Sequence, residues 1–352
     1  MFLINHPPYM KIKLPFFAIS CLWVLCSVLF TSCNNAKSEN QPSAENTTSK
    51  KDSLKEAKVT AFDTTDYNTR MEALKNGDTS ARWKLKTPYP LAGALLPYKR
   101  IIAFYGNLYS KRMGILGEIP KDQMFKKLKE EVAAWQKADS TTEAIPALHY
   151  IAITAQGKPG NGGKYRLRMP FKQIDTVISW AKEINAIVFL DVQIGQSTVK
   201  DEVSTLVDYL KLPNVHLGID PEFAMKDGRV PGTKIGTLSA TEINDAIDIL
   251  SKLVRENNLP PKVLVVHRFT QGMLTDYQNI KTTPEVQIVI NMDGFGGKEL
   301  KRSSFHLAAY REPVQFVGFK LFYKNDNHGD ATMFTPEEVL QFKPRPIYIQ
   351  YQ

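Results

Sequence analysis

Cysteine is almost missing from this chain. Its 352 residues include three, Cys21, Cys26 and Cys33, and none follows position 33. Beyond that point a thiolate metal site, a catalytic cysteine and an intrachain disulfide are all excluded. Paired histidines are missing too: no His-x-His or His-x-x-x-His occurs among the six. No Gly-x-Gly-x-x-Gly opens a helix, and Gly157 to Lys164 matches a phosphate-binding loop in composition but not in order, so a rim loop is expected there. The formal charge of +9 is spread along the chain, with no basic block and no interleaved aromatic and basic motif. That distribution excludes a nucleic-acid partner and suits solubility or attraction to anionic envelope polymers. Composition is otherwise ordinary for a globular protein, at 43% hydrophobic and 23% charged.

One long apolar run exists, Leu14 to Phe30, behind Lys11 and Lys13 and ahead of Leu29-Phe30-Thr31-Ser32-Cys33. A positive start, an apolar run and small residues before the cut describe a secretory signal. Ending on cysteine, it resembles a bacterial lipoprotein signal, which implies removal of 1–32, lipidation of Cys33 and a membrane-anchored protein of the cell envelope. An uncleaved membrane anchor is the alternative, since the run is about long enough to span a bilayer. Residues 34–60 are rich in Asn, Ser, Thr, Lys and Glu, and bury too little to offset their ordering entropy. The expected tether is 33–98, with a helical turn or two near Tyr67–Leu74.

From Arg100 onward strands and helices alternate. Strand patterns fall at 100–106, 149–156, 186–194, 215–222, 262–268, 286–293, 315–323 and 346–351. Helical patterns fall at about 123–138, 171–185, 200–211, 240–257, 272–279, 298–310 and 336–342. Pro170 opens the second helix, and Ser239-Ala240-Thr241-Glu242 and Thr335-Pro336-Glu337-Glu338 read as capping boxes. Eight strands over about 250 residues predict an α/β chain, one (βα)8 TIM barrel over 99–352. An open doubly wound sheet uses five or six strands and would leave two spare.

The helix-facing side of these strands reads Ile151, Ile153, Val188, Leu190, Val192, Leu217, Ile219, Leu264, Val266, Ile288, Ile290, Phe319, Leu321, Ile347 and Ile349. The lumen side ends in polar groups: Tyr105, Asn107, Gln156, Asp191, Gln193, Asp220, Glu222, His267, Asn291, Asp293, Lys320 and Gln350. Polar groups inside a barrel are expensive unless they meet water, ligand or one another, and this fold's sites lie at the carboxyl ends of its strands. Asp220 and Glu222 are two apart, so they leave the same face of an extended strand. Glu222 is the candidate acid, with Asp220, Asp191 and Asp293 as supporting carboxylates. Lys320 is expected to pair with a carboxylate, Asp191 being one candidate. Tyr105, Phe223, Phe269, Phe295 and Phe322 are candidate sugar-stacking rings. His149 and His216 begin strands and are expected at the far end from any chemistry, His306 on a helix surface and His328 in a polar loop.

The Asp220-x-Glu222 ending of the fourth strand resembles that of chitinase-like glycoside hydrolases of family 18, and is similar to family 25 muramidases. The resemblance implies a barrel with Glu222 as proton donor and Asp220 in support, acting on a glycan. It covers a few residues; the further acidic residues of family 18 are Val215 and Gly218 here, Asn291-Met292-Asp293 lacks its sixth-strand tyrosine, and the first-strand aspartate of family 25 is Tyr105 or Asn107. Three readings follow. The first is glycosidase-like hydrolysis, with Tyr105, Asn107, Gln156, Gln193, His267, Asn291, Lys320 and Gln350 contacting substrate and no cofactor. The second is a non-catalytic glycan or cell-wall binding lipoprotein. The third is a metal-dependent hydrolase using Asp191, Asp220, Glu222, His267 and Asp293 as oxygen and imidazole ligands.

Overall fold

The computed structural model describes residues 62–83, 87–327 and 331–352. The expected signal, Cys33, the tether up to residue 61 and His328 lie outside them.

Eight parallel strands close into a ring: β1 (Lys99–Gly106), β2 (Glu143–Ala155), β3 (Ile187–Val192), β4 (Val215–Ile219), β5 (Lys262–His267), β6 (Val286–Met292), β7 (Phe316–Leu321) and β8 (Tyr348–Tyr351). Each pairs with the next in the chain, and β8 returns to β1 from Ile101↔Tyr348 to Phe104↔Tyr351. The protein is a (βα)8 barrel. A short antiparallel strand, Arg166–Arg168, adds to the carboxyl end of β2. It is fastened by Glu202, a fully buried carboxylate that accepts from Arg166, Arg168 and Ser197.

The strand faces divide two apolar layers. Val188, Leu190, Val192, Leu217, Ile219, Leu264, Val266, Ile288, Ile290, Phe319, Leu321 and Ile349 pack outward against helix residues such as Leu128, Ile174, Val177, Ile243 and Leu250. Inside, Ala103, Ala147, Phe189, Val263, Val265, Val289, Phe316 and Tyr348 fill the amino-terminal half of the lumen. Leu74, Trp83 and Leu96 join this inner layer, so packing of the barrel begins before residue 99. The helix Thr64–Leu74 that delivers Leu74 starts at Asp63, whose Oδ1 accepts from the N–H groups of Thr65 and Asp66. It is tied down by Arg345 N–H donating to Leu74 O, and by the Asn76 amide donating to Leu340 O and Phe342 O.

Helices Lys121–Ala138, Phe171–Glu183 and Ala240–Asn257 stand where periodicity predicts them, the last with its capping box. The pattern at 272–279 is not a helix. Two 3-10 turns, Gln271–Met273 and Tyr277–Asn279, flank a two-residue strand that pairs with Leu238–Ser239. Arg268 takes the carbonyls of Gln271 and Leu274 that a helix would use for itself, and Asp276 is left-handed at φ 55°. The stretch 200–211 divides into Val199–Ser204 and Val207–Leu210, and the last helix stops at Val339, four residues short of Lys343-Pro344.

Two strand faces differ from expectation. The β2–β3 register runs Ile151↔Asp191 and then Ile153↔Val192, so Ala152 is an extra residue in β2. Before that bulge the helix-facing residues are Leu148 and Tyr150, which places Ile151 outside the outer layer it was assigned to. Ile347 sits in the inner layer.

Candidate active site

The inner apolar layer ends where the polar residues start, and the first of these form a closed tier around Asp191. Asp191 is completely buried in β3. Its Oδ2 accepts from Tyr105 OH at 2.9 Å; its Oδ1 lies 3.2 Å from His149 Nε2 and 3.4 Å from His267 Nε2. Both separations fit an ion pair, yet the ring N–H directions miss the oxygen, and all three atoms lack a hydrogen-bond partner. On their other sides the rings are held: His149 Nδ1 is 2.6 Å from Tyr348 OH, and His267 Nδ1 is 3.1 Å from Asp293 Oδ2. Gln350 donates to Tyr348 OH at 2.9 Å and accepts from Asn291 at 3.4 Å.

Charge in this tier is decided by competition between burial and neighbours. Burial acts to discharge His267, but Asp191 and Asp293 outweigh it and raise the imidazole to about 10. Burial wins at His149, which falls to about 4 and stays neutral. Asp191 is held well below the carboxylate range because the charge of His267 and the proximity of both rings overcome its desolvation.

Above it lie Asp220, Glu222, Gln193, Asp293 and Lys320. The expectation that Asp220 and Glu222 share a strand face is not met. β4 ends at Ile219, and Pro221, with no N–H to continue the ladder, opens a 3-10 turn over Pro221–Phe223. Asp220 caps that turn, its Oδ1 accepting from Glu222 N–H at 3.0 Å while Oδ2 accepts from the Gln193 amide at 3.2 Å. Glu222 is half-buried; desolvation, then the charges of Asp220 and Asp293, push its carboxyl up to about 8. Asp220 is raised as well, by burial first and by Asp293 and Asp191 after it. Among the described residues, Asp293 Oδ1 has no partner.

Lys320 departs from its expected pairing. Among the described residues no carboxylate lies within ion-pair distance of it; its Nζ sits 3.9 Å over the Tyr105 ring. Burial lowers its pKa against the pull of Asp293, Asp220, Asp191 and Glu222. Asp191 is therefore balanced by histidines rather than by this lysine. Tyr105, with an ammonium on its face and 3% exposure, is no stacking platform, whereas Phe295 is 62% exposed and meets the buried Phe322 edge-on at 5.9 Å. Asn107 spends its side chain on Ile151 O and on the N–H groups of Tyr109 and Ser110, shaping the loop after β1. Gln156 lies half-buried on the rim loop after β2.

His149 was expected at the far end of the barrel, and the structure overturns this. β2 begins at Glu143 rather than 149, and the extra residue at Ala152 reverses the parity below it, so His149 faces the lumen opposite Tyr105. His216 does belong to the lower lumen, where its Nδ1 accepts Val263 N–H at 3.1 Å. Tyr348 and Gly218 are the other participants not anticipated. A Cβ on Gly218 would lie 2.3 Å from Asp191 Oδ1 and 2.4 Å from His149 Nε2, so only glycine leaves room for this pair.

A raised acid makes stability depend on pH. The folded chain keeps a proton on Glu222 that the unfolded chain has lost, so stability falls as pH rises from the ordinary 4.5 toward about 8. Thermal melts over about pH 5 to about pH 8 are expected to show a midpoint falling by a few degrees, and Glu222→Gln to flatten that fall. Parallel slopes in the two proteins would show that Glu222 does not titrate in this window.

No protein-family model and no curated protein matches the chain. Among solved structures it is similar to a cellulase, Cel5C_n, at 13% identity and TM-score 0.40, over 72% of this chain and 75% of that one. A mutant form of Thermotoga maritima Cel5A in complex with cellobiose aligns at 10% identity and TM-score 0.41, over 72% and 88% of the two chains. A ruminal GH26 endo-β-1,4-mannanase aligns at 12% and 0.34, over 72% and 59%. The likeness is one of architecture, which the strand pairing by itself establishes.

Proposed function

We propose that the protein is a lipid-anchored envelope protein whose barrel hydrolyses a glycan at its mouth. Cys33 carries the lipid. Glu222 is the acid/base and Asp293 the second carboxylate, with Asp220 and Asp191 in support. The observation that carries this reading is Glu222 itself, a half-buried carboxylic acid at a strand tip, still protonated at neutral pH. Glycosidic cleavage needs such an acid to protonate the leaving oxygen, and a second group to act as nucleophile or base. Asp293 suits the second role because His267 fixes one oxygen and leaves the other free. Asp220 raises Glu222 by like-charge repulsion and, through its cap, sets the turn that aims it. Asp191 is too deep to touch a ligand; it orients Tyr105 and the histidines. Gln193 and Lys320 supply polar contacts, Gln156 reaches from the rim, and Phe295 offers an open apolar ring, while Asn291 and Gln350 stay in the closed tier with Asp191.

The test is turnover. The full chain in detergent should release reducing ends from peptidoglycan or from one of a panel of defined oligosaccharides. Saturable binding with no release from any of them would overturn the catalytic reading and leave the mouth as a binding site. Mass spectrometry of the mature amino terminus checks the anchor: a lipidated Cys33 is expected, and an intact residue 1–32 segment would refute it.

A further inference from the structure

Three atoms in the tier around Asp191 remain unexplained by glycan cleavage. His149 Nε2, Asp191 Oδ1 and His267 Nε2 come from three strands, lie within 4.8 Å of one another and belong to side chains with no exposure. None has a hydrogen-bond partner among the described residues. Buried polar atoms are normally satisfied, so three unpartnered ones facing each other call for a specific cause. Ion pairing with Asp293 and Asp191 balances the charge of His267, but leaves His149 Nε2, Asp191 Oδ1 and His267 Nε2 without an aligned hydrogen bond. The unpartnered Nε2 of His216 is a different case, with no carboxylate beside it.

Each of the three is gripped from behind. Tyr348 OH holds His149 Nδ1, Asp293 holds His267 Nδ1, and Tyr105 OH donates to Asp191 Oδ2. Metal-binding imidazoles and carboxylates are oriented in this way by outer partners. Ligand atoms about 2.0–2.1 Å from a tetrahedral ion stand about 3.4 Å apart. The two separations from Asp191 Oδ1 are 3.2 and 3.4 Å. Gly218 adds a third, independent sign. Its missing side chain leaves open the space that Asp191 Oδ1 and His149 Nε2 both border.

We propose that His149, Asp191 and His267 form a binding site for a divalent transition-metal ion of the zinc class, the ion displacing the proton that His267 Nε2 otherwise carries beside Asp191. Two imidazoles and one carboxylate favour such an ion over magnesium or calcium, which take oxygen ligands. Three protein ligands also leave a coordination position for water. This donor set differs from the carboxylate-rich one expected from sequence, because His149 enters and Asp220, Glu222 and Asp293 do not. The site stands independently of the acid role of Glu222.

The test uses the full chain, stripped with chelator and titrated with Zn²⁺ by calorimetry and with Co²⁺ by visible absorption. Expected are one ion per chain, d–d bands of a nitrogen- and oxygen-ligated Co²⁺, and a thermal midpoint raised by the ion. His306→Ala, which removes an exposed histidine, should bind the ion as the wild-type chain does. His149→Ala should bind at least about 100-fold more weakly, and Tyr348→Phe about 10- to 100-fold more weakly. Tyr348→Phe serves alone if His149→Ala does not fold. Failure of the wild-type chain to take up a stoichiometric ion overturns the proposal, and so does undiminished affinity in either lumen variant. Metal binding that survives in a chain without glycan turnover would separate the two readings.

Discussion

Replacing Glu222 by glutamine is expected to lower kcat on an unactivated glycan by about 10²–10⁴-fold, the usual worth of a positioned proton donor. The amide keeps the shape and hydrogen-bonding reach of the side chain but has no proton to give. KM should move little, since the lost interaction forms in the transition state. The effect should depend on the leaving group. An aryl glycoside that departs without protonation loses little in the variant, whereas an ordinary sugar leaving group suffers the full loss. The pH profile gives the sign independently. If Glu222 is the acid, its protonated form is the active one, so wild-type activity should decline as pH rises through about 8, and that alkaline limb should vanish in the variant. Equal losses on good and poor leaving groups would show that Glu222 holds the site together rather than donating a proton.

Asp326→Ala is expected to destabilise the fold by about 3–5 kcal/mol, the range for removing one partner of a buried ion pair. Asp326 and Lys301 are each 1% exposed and meet at 2.6 Å. The same carboxylate accepts from Phe322 N–H at 2.9 Å and Gly296 N–H at 3.0 Å. Its loss leaves a buried ammonium with the carbonyl of Lys320 as acceptor, and strands two backbone donors. Urea unfolding measures the change; a loss below about 1 kcal/mol would mean that water or another group replaces the carboxylate. Because the two N–H groups belong to the loops after β6 and β7, which carry Phe295 and Phe322, ligand affinity should weaken as well. Adding Lys301→Met should restore part of the stability, since it removes the stranded charge, but not the loop contacts.

The barrel was legible because most strands present an apolar outer face in strict alternation, as Val188, Leu190 and Val192 do on β3 or Leu264 and Val266 on β5. The polar cluster was legible where polar residues break that alternation at strand ends: Asp191, Gln193, Asp220, His267, Asn291, Asp293 and Lys320 do lie together. What stayed hidden has local causes. In β2 the residues on both sides of the bulge are apolar, from Tyr150 through Ile153, so nothing in the pattern marks the parity change that turns His149 inward. At 272–279 the periodicity is helical, but the carbonyls are claimed by Arg268, a tertiary contact no local pattern encodes. Beside Glu222, Pro221 was the visible warning that the strand stops early. The pairing of Lys320 with a ring rather than a carboxylate depends on packing across the lumen.

Leu74, Trp83, Leu96 and the apolar layer above them plug the amino-terminal end of the lumen. If the proposed glycan cleavage holds, a polymer would lie across the carboxyl-terminal end of the barrel rather than thread its centre, and a proton bound for His149 or His267 would pass Asp220, Glu222 and Asp293 on its way down.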